Sequence, residues 1–217
     1  MAAARIPVFL RGDRNYVQAT QMLARTAEHI EQEWGPSFTL KNCSFKKITS
    51  NQVDVAFLAG EVPASTHAIG SAIFASSKHA ITAEFLETKE LADRMALPEQ
   101  STVGPALTPE SNSFPFAGAH TFEGKLAVIV QALKRFHSGL AQDADELWFT
   151  GLRGAAIDIG SGFTEPTGQI RIELLRILGA TPRFQTLSMV HVTAAGSPIT
   201  PFPCTFALRS EFPIHVN

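Results

Sequence analysis

The sequence predicts an α+β fold in which a long helix followed by four short strands occurs twice. Two stretches, residues 14–34 and 123–140, carry apolar residues at three- and four-residue steps, which is the spacing of a helix with a buried face. Four β-rich runs follow each stretch. The segments QMLAR (21–25) and QALKR (131–135) also align when the chain is slid by 110 positions, with glutamine, leucine and arginine in register.

In the first half, the helix should bury one face and expose a polar stripe. The apolar face comprises Ala19, Leu23, Ala27, Ile30 and Trp34, and the polar stripe comprises Gln18, Gln21, Arg25, Glu28 and Gln32. Gly35 and Pro36 end this helix. Strands are predicted at SFTLKNCSFKK (37–47), QVDVAFLAG (52–60), HAIGSAIFAS (67–76) and HAITAEFLET (79–88). The last two should form a hairpin, because residues 76–78 make a short polar break.

The second half repeats this order after a proline-containing segment, residues 89–112, which is predicted to be a partly helical linker. One face of the second helix carries Leu126, Ile129, Leu133, Phe136 and Leu140, and Val128 and Val130 widen it. We therefore expect this helix to be covered on most sides. Strands are predicted at 146–159, 169–178, 183–195 and 204–210. The predicted organisation is a first repeat (1–88), a linker (89–112) and a second repeat (113–217).

Composition narrows the class of protein. The chain has 217 residues, of which 45% are apolar and 18% charged, so a well-packed globule is expected. A formal charge of −2 without a Lys/Arg stripe argues against nucleic acid as a partner. Cys43 and Cys204 lie far apart, which fits a reducing compartment. No stretch approaches 18 uninterrupted apolar residues, so we expect a cytoplasmic protein without a membrane partner.

A long helix followed by an antiparallel meander that curls around it resembles the hotdog fold. Two copies in one chain resemble the double-hotdog arrangement, in which the halves pair as a pseudo-dimer. The resemblance covers about residues 5–88 and 113–211 and rests on the order of the elements. The alternative is an ordinary α+β sandwich without an internal duplication.

Hotdog proteins mostly handle acyl thioesters of coenzyme A or acyl carrier protein, as dehydratases or thioesterases of lipid, polyketide and secondary-metabolite pathways. The resemblance implies an acyl tunnel between the halves, with polar groups where the helices begin. It implies no separate cofactor, since coenzyme A or phosphopantetheine is part of the substrate, and it is compatible with a homodimer of pseudo-dimers. Such chemistry needs a base, an acid or polarised water, and a donor for an oxyanion.

The resemblance implies catalytic roles for residues at the two helix entries. In β-hydroxyacyl carrier-protein dehydratases, a His–Phe–Pro motif precedes the central helix. Here GAHTFEGK (118–125) places His120 before the second helix and Glu123 in its first turn, although Thr121 replaces the phenylalanine and the proline is absent. The first entry, LRGDRNYVQATQ (10–21), supplies Asp13. Asp13 and Glu123 could equally cap their helices, and His120 could be a loop histidine without a task.

Substrate-binding roles are assigned to a second set of residues, namely Tyr16, Gln18, Gln21, Gln131 and Arg135. Tyr16 is the only tyrosine in the chain, so its hydroxyl is a candidate hydrogen-bonding group or the tip of a core ring. Gln21 and Gln131 could donate to a thioester carbonyl or bond neighbouring strands. Arg135, like Arg25, suits an ion pair or a phosphate.

Other kinds of site find no support in the pattern of residues. The histidines show no spacing typical of zinc ligands, and DIGSGF (158–163) lacks the third glycine of a dinucleotide-binding loop. No G-x-S-x-G elbow is present, so covalent catalysis is not indicated. The leading hypothesis is an acyl-thioester enzyme. The alternatives are a non-catalytic acyl-ligand-binding or accessory protein and an assembly protein that docks through residues 98–115.

Overall fold

A computed structural model of the chain describes residues 3–11, 16–96, 102–107, 112–141, 146–160, 167–194 and 197–209. The chain divides into two compact units, Met1–Glu99 with Ala156–Ser161, and Gln100–Ala155 with Gly162–Asn217. Each unit combines one long helix with an antiparallel sheet, which confirms the predicted α+β class. In the described part of the chain, neither helix is long and apolar enough to cross a membrane.

The elements follow the predicted order along the chain. They are β1 Ala3–Ile6, β2 Leu10–Arg11, α1 Ala19–Trp34, β3 Thr39–Phe45, β4 Asn51–Ala59, β5 Gly70–Ala75, β6 Ala80–Leu91 and β7 Arg94–Met95. They continue with β8 Thr102–Val103, β9 Ser113–Ala117, α2 Phe122–Leu140, β10 Glu146–Leu152, β11 Ile157–Asp158, β12 Gly168–Ala180, β13 Arg183–Ala194 and β14 Ser197–Arg209. Every predicted β-rich run contains a strand.

The predicted helical character of residues 89–112 is wrong where the structure describes them, since 89–96 and 102–107 hold strand and irregular backbone. Their hydrogen bonds run to other segments instead of along a helix. The Ala92 N–H donates to Ser50 O, and Asp93 O accepts from the Leu10 N–H. These bonds fix the segment beside β2, which pairs with β7 in parallel.

The sheet of the first unit has the strand order β1-β4-β6-β5-β3, and β11 pairs with β3. The predicted hairpin is confirmed, because β5 and β6 pair from Ala75↔Ala80 onward. The predicted simple meander is wrong in one respect, since β4 pairs with β6 and not with β5. The connection of residues 60–69 therefore has to cross β6.

Side chains of β6 hold this crossing connection in place. The Thr82 hydroxyl donates to Gly60 O over 2.8 Å and accepts from the Val62 N–H over 3.0 Å. The Glu84 carboxylate accepts from the Ser65 N–H. Thr82 and Glu84 are both buried, so their polar groups need these partners. The result is that residues 81–85 of β6 are buried in an unbroken run instead of alternating.

The sheet of the second unit has the order β8-β9-β12-β13-β14-β10, in which β12, β13 and β14 form the predicted meander. Helix α2 contacts β8, β9 and β12 towards one edge and β10 at the other. The sheet thus curls around the helix, as expected from its wide apolar surface. The predicted buried residues Leu126, Ile129, Leu133 and Phe136 are buried, while Leu140 is only partly covered.

The repeat of element order does not extend to the 110-residue register. Helix α2 begins at residue 122, which is 103 positions after residue 19, where α1 begins. Gln21 consequently lies in the first turn of α1, whereas Gln131 lies in the middle of α2. The alignment of QMLAR with QALKR therefore does not mark equivalent turns of the two helices.

The structure also corrects the predicted faces of α1. Gln21 was assigned to the exposed stripe but is fully buried, and Trp34 was assigned to the apolar face but is 47% exposed. Trp34 is the last residue of the helix, and its ring reaches the half-buried Phe57 of β4 at a centroid distance of 5.6 Å. Periodicity assigns both residues to the wrong face of the helix, because it does not show which other segments pack against each helical turn.

We predict that Thr82→Val lowers the free energy of unfolding by about 2 kcal/mol, because it leaves the Gly60 carbonyl and the Val62 N–H without their partner. Urea unfolding followed by circular dichroism measures this. Thr193→Val, at an exposed position of β13, is the matched control and should leave the midpoint unchanged. Equal midpoints for both variants would contradict the role of Thr82.

Candidate functional site

Two glutamine side chains hold the segment that precedes α1. The Gln52 Nε2 donates to Val8 O over 3.0 Å, and its Oε1 accepts from the Val8 N–H over 3.2 Å. The next residue, Phe9, donates its N–H to Gln21 Oε1 over 2.8 Å. Because the Val8 side chain is buried, its backbone groups need partners, which Gln52 supplies. Phe9 is therefore fixed against the first turn of α1, and Val8 against β4.

Gln21 combines complete burial with an unused hydrogen-bond donor. Its Oε1 is bonded to Phe9, but its Nε2 has no hydrogen-bond partner among the residues that the structure describes. Buried amide groups nearly always find partners, so such a group calls for an explanation. Gln21 also lies at the positive end of the helix dipole. The side chain can therefore donate to an oxygen that carries negative charge.

The other predicted residues at this entry lie on the same segment. Tyr16 is half-buried. Gln18 is the N-cap residue of α1, with an extended backbone, and its side chain makes no capping hydrogen bond. Its carbonyl accepts from the N–H groups of Gln21 and Met22. Asp13 lies outside the described residues, so its capping and catalytic interpretations both remain predictions.

At the entry to α2, Thr121 and not Glu123 is the capping residue. The Thr121 hydroxyl accepts from the Gly124 N–H over 3.0 Å. This gives the threonine a structural reason to stand where the dehydratase motif has phenylalanine. His120, one residue earlier, is exposed, and Glu123 is half-buried in the first turn. The structure brings these two candidates to the same helix entry.

Sequence reasoning missed Lys125, which is 4% exposed in the first turn of α2. A lysine among the apolar residues of a helix is usually exposed, and a buried one is rare. The sequence pattern therefore did not indicate that Lys125 is buried. Gly124 beside it is needed for packing, because a Cβ there would lie 3.1 Å from Ala119 Cα. The start of α2 is thus packed closely against the loop that precedes it.

Gln131 and Arg135 lie away from this entry. Gln131 follows Glu123 by eight residues, which corresponds to about 12 Å along a helix. It is half-buried, and Arg135, one turn further on, is exposed. Helix α2 thus does not place these two residues beside His120 and Glu123. Their assignment to substrate binding remains a prediction.

His137 is a fully buried residue that the sequence did not single out, because no motif surrounds it. Its Nδ1 lies 2.6 Å from Leu133 O, and its Nε2 lies 2.6 Å from the Thr186 hydroxyl. A carbonyl can only accept, so Nδ1 carries the proton and Nε2 accepts from Thr186. The ring stacks on Phe206 at a centroid distance of 4.8 Å. Both nitrogens are therefore used within the core.

Burial lowers the pKa of His137 to about 4, against the opposing effect of its bond to the Leu133 carbonyl. The ring is consequently neutral near pH 7. A neutral histidine with both nitrogens bonded inside the core is a structural residue and not a general acid. Within the described residues, no group of three or more His, Cys, Asp or Glu side chains could hold a metal ion.

The fold is similar to that of a protein described as a thioesterase II from Thermobifida fusca, with a TM-score of 0.52 and 10% identity over 96% of this chain and 95% of that one. An acyl-CoA thioesterase II from Mycobacterium marinum gives a TM-score of 0.47 and 9% identity over 94% and 96% of the two chains. A bifunctional dehydratase-cyclase domain of ambruticin biosynthesis gives 0.45 and 10% over 89% and 82%.

The Thermobifida fusca protein has the hotdog fold, and the similarity at a TM-score of 0.52 shows that this chain has the same fold. It confirms the resemblance inferred from the order of the elements. No protein-family model matches the sequence. No curated protein matches it either.

The pKa of His137 predicts a specific loss of stability in acid. The folded-state pKa lies below the ordinary value of 6.5, so the native state binds fewer protons than the unfolded state as the pH falls. The contribution, on the order of 3 kcal/mol, is complete above pH 6.5 and is lost between pH 6.5 and 4. Urea unfolding at pH 7 and pH 4.5 measures it.

His137→Gln is the reference for this measurement, because carboxylates also change the stability over the same pH range. The variant should be less stable at pH 7 yet lose less stability on acidification than the wild-type protein. If both proteins lose the same free energy of unfolding between pH 7 and pH 4.5, the neutral state of His137 is not the cause.

Proposed function

Because the chain shares the hotdog fold, we propose that it processes an acyl thioester of coenzyme A or of a carrier protein, and that hydrolysis is the reaction its residues support best. The observation that carries this proposal is the side chain of Gln21. Its Nε2 is buried, has no partner among the described residues and lies in the first turn of α1. A thioester carbonyl becomes an oxyanion when water attacks it, and such a group stabilises that charge.

The geometry of Gln21 suits an oxyanion donor in two respects. The bond from the Phe9 N–H holds Oε1, which fixes the plane of the amide and therefore the direction of Nε2. Burial excludes water, so a hydrogen bond to a charged oxygen is stronger there than at the surface. One preorganised donor of this kind typically contributes a factor of about 10² to 10³ to kcat.

The remaining predicted residues have defined roles in this proposal. Tyr16 and Gln18, on the segment that leads into α1, would bind the thioester next to Gln21. The attacking water needs a base, for which Asp13 is the carboxylate assigned from the sequence at the entry to α1. His120, Glu123, Gln131 and Arg135 belong to the second unit, and the catalytic and binding roles assigned to them from the sequence stay predictions. The coenzyme A or phosphopantetheine moiety belongs to the substrate, so no separate cofactor is required.

We further infer that the two units are two hotdog copies in tandem. In both, a strand, a long helix and four strands follow one another along the chain, namely β1, α1 and β3–β6 in the first unit and β9, α2, β10 and β12–β14 in the second. The first unit also contains β2, β7 and β11, the second also contains β8, and the strand order of the first unit differs through the crossing connection of residues 60–69. A duplicated unit explains this order better than two unrelated α+β units do.

A second candidate function is the binding of an acyl ligand without turnover. The state of His120 favours it, because this histidine is exposed and Thr121, the residue after it, serves as a helix cap. Dehydration has the weakest support, since the position of the motif phenylalanine is occupied by this cap. Release of coenzyme A from a panel of acyl-CoA substrates, measured with a thiol reagent, distinguishes turnover from binding.

We predict that Gln21→Glu lowers kcat/KM for acyl-CoA hydrolysis at pH 8 by about 10²-fold or more, because the carboxylate keeps an acceptor for Phe9 but loses the donor. Gln52→Glu is the matched control. Both groups of Gln52 are already bonded to Val8, so this variant should lose stability more than activity. Hydrolysis by Gln21→Glu at the wild-type rate, with the fold intact by circular dichroism, would refute the role of Gln21.

A further inference from the structure

Arg25 carries an unused hydrogen-bond donor one turn beyond Gln21 on α1. Its Nη1 donates to Glu28 Oε2 over 2.7 Å, in an ion pair that is partly open to solvent. Its Nε is buried and has no hydrogen-bond partner among the residues that the structure describes. Arg25 therefore uses one part of its guanidinium for the ion pair, and another part is left without a partner.

Gln21 and Arg25 together place two unused N–H groups on adjacent turns of one helix face. Residues four apart on a helix are neighbours, with their Cβ atoms about 5–6 Å apart. The Gln21 Nε2 and the Arg25 Nε are both shielded from solvent. A buried N–H without a partner is costly, and more so on a charged group. A ligand that accepts from both donors explains the pair.

The helix face that carries these donors is buried at one end and exposed at the other. From Gln21, which is fully buried, the polar residues of this face become more exposed along the helix. Arg25 is half-buried, and Glu28 is exposed. Arg25 thus lies between Gln21 and the exposed end of the face. A ligand that enters along this face passes Arg25 before it reaches Gln21.

The same two residue types recur four apart on α2 without forming such a pair. Gln131 is half-buried in the middle of that helix, and Arg135 is exposed, so water can bond to its guanidinium. Packing therefore distinguishes Gln21 and Arg25 from their counterparts in the sequence pattern.

The free edge of the Arg25 guanidinium matches a carboxylate. The Nε–H and the neighbouring Nη2–H of a guanidinium point in the same direction and fit the two oxygens of one carboxylate. Glu28 is bonded to Nη1, so the ion pair does not occupy the Nε–H. Glu28 is also 52% exposed, so solvent and salt weaken its repulsion of a second carboxylate.

Two other parts of an acyl-CoA fit Arg25 less well. An acyl chain made only of methylene groups would leave the Nε–H without a partner in apolar surroundings, which is unfavourable. The phosphates of coenzyme A are separated from the thioester by the pantetheine arm, which in its extended form is much longer than one helical turn. A phosphate therefore does not reach Arg25 from a thioester bound at Gln21.

We propose that Arg25 binds a carboxylate at the far end of the acyl group, and that the chain acts on thioesters of short dicarboxylic acids. This inference rests on the proposed function and narrows its substrate to an acyl group with a negative charge. The thioester carbonyl accepts from Gln21 Nε2, and the carboxylate accepts from Arg25 Nε one turn further on. The short separation of the two donors limits the length of the acyl group.

The test compares the hydrolysis of succinyl-CoA and butyryl-CoA, whose acyl chains have the same length and differ in the terminal carboxylate. The kcat/KM of the wild-type protein should be about 10-fold or more higher for succinyl-CoA, after subtraction of the hydrolysis without protein. Arg25→Gln should lower kcat/KM for succinyl-CoA only, because butyryl-CoA has no carboxylate. Arg176→Gln, at an exposed position of β12, is the matched control and should keep the wild-type ratio.

Arg25→Lys provides a second variant in case Arg25→Gln does not fold. It keeps the positive charge beside Glu28 but lacks the planar edge, so the ratio of the two kcat/KM values should fall here as well. Equal values for the two substrates in the wild-type protein would overturn the proposal. Losses of the same size for both substrates in the Arg25 variants would overturn it too, because they would show a structural role.

Failure of the proposed function is recognised separately. If the wild-type protein hydrolyses neither thioester, titration calorimetry with the same two compounds tests Arg25 alone. Binding of succinyl-CoA about 10-fold or more tighter than that of butyryl-CoA, in the wild type and in Arg176→Gln but not in Arg25→Gln, supports the role of Arg25. Equal binding of the two compounds, or none, contradicts it. Hydrolysis of both compounds without preference leaves the proposed function intact and refutes the role of Arg25.

Discussion

Covering α2 with a sheet is the constraint on which the second unit depends. Burying a large apolar side chain contributes roughly 1.5–3 kcal/mol, so Leu126, Ile129 and Leu133 together contribute about as much as the net stability of a typical domain. A flat sheet would cover one side of the helix only. Strands near both edges of the sheet contact α2. The sheet curls because the apolar surface of this helix is wide.

A helix that is covered in this way also buries some of its polar side chains. The buried polar side chains of α1 and α2 differ in how many of their hydrogen-bonding groups are bonded. Both ring nitrogens of His137 are bonded, to Leu133 and to Thr186. Gln21 is equally buried, but only its oxygen is bonded. His137 is therefore a buried polar side chain with both nitrogens bonded, whereas Gln21 keeps an unused donor. This difference separates a structural histidine from a glutamine suited to chemistry.

Much of the fold could be predicted because periodicity reports which face of an element is apolar. It identified both helices and the eight predicted β-rich runs, and the order of these elements led to the hotdog fold. It could not predict that β4 pairs with β6, because the pairing joins residues far apart in the chain and needs a crossing connection, which Thr82 holds through its hydrogen bonds. Periodicity also misplaced Gln21, whose burial depends on a bond to Phe9, a residue outside the helix.

The candidate site was harder to predict than the fold. Motif reasoning identified His120 and Glu123 at the entry to α2, but it could not show that Thr121 is the cap or that Lys125 is buried. The register of β12, β13 and β14 could not be predicted either, because it is set by contacts between residues far apart in the chain. Strand register is a property of the folded sheet, and composition does not contain it.

The crossing connection of residues 60–69 also has a consequence for the order of folding. Strands β5 and β6 are joined by a short turn, so closing this hairpin costs little chain entropy. Pairing of β4 with β6 closes a longer loop, which contains β5 and the connection. The hairpin is therefore expected to form first and to serve as the template on which β4 docks. The connection then closes over β6 as the last step, and it stabilises a sheet that has already formed.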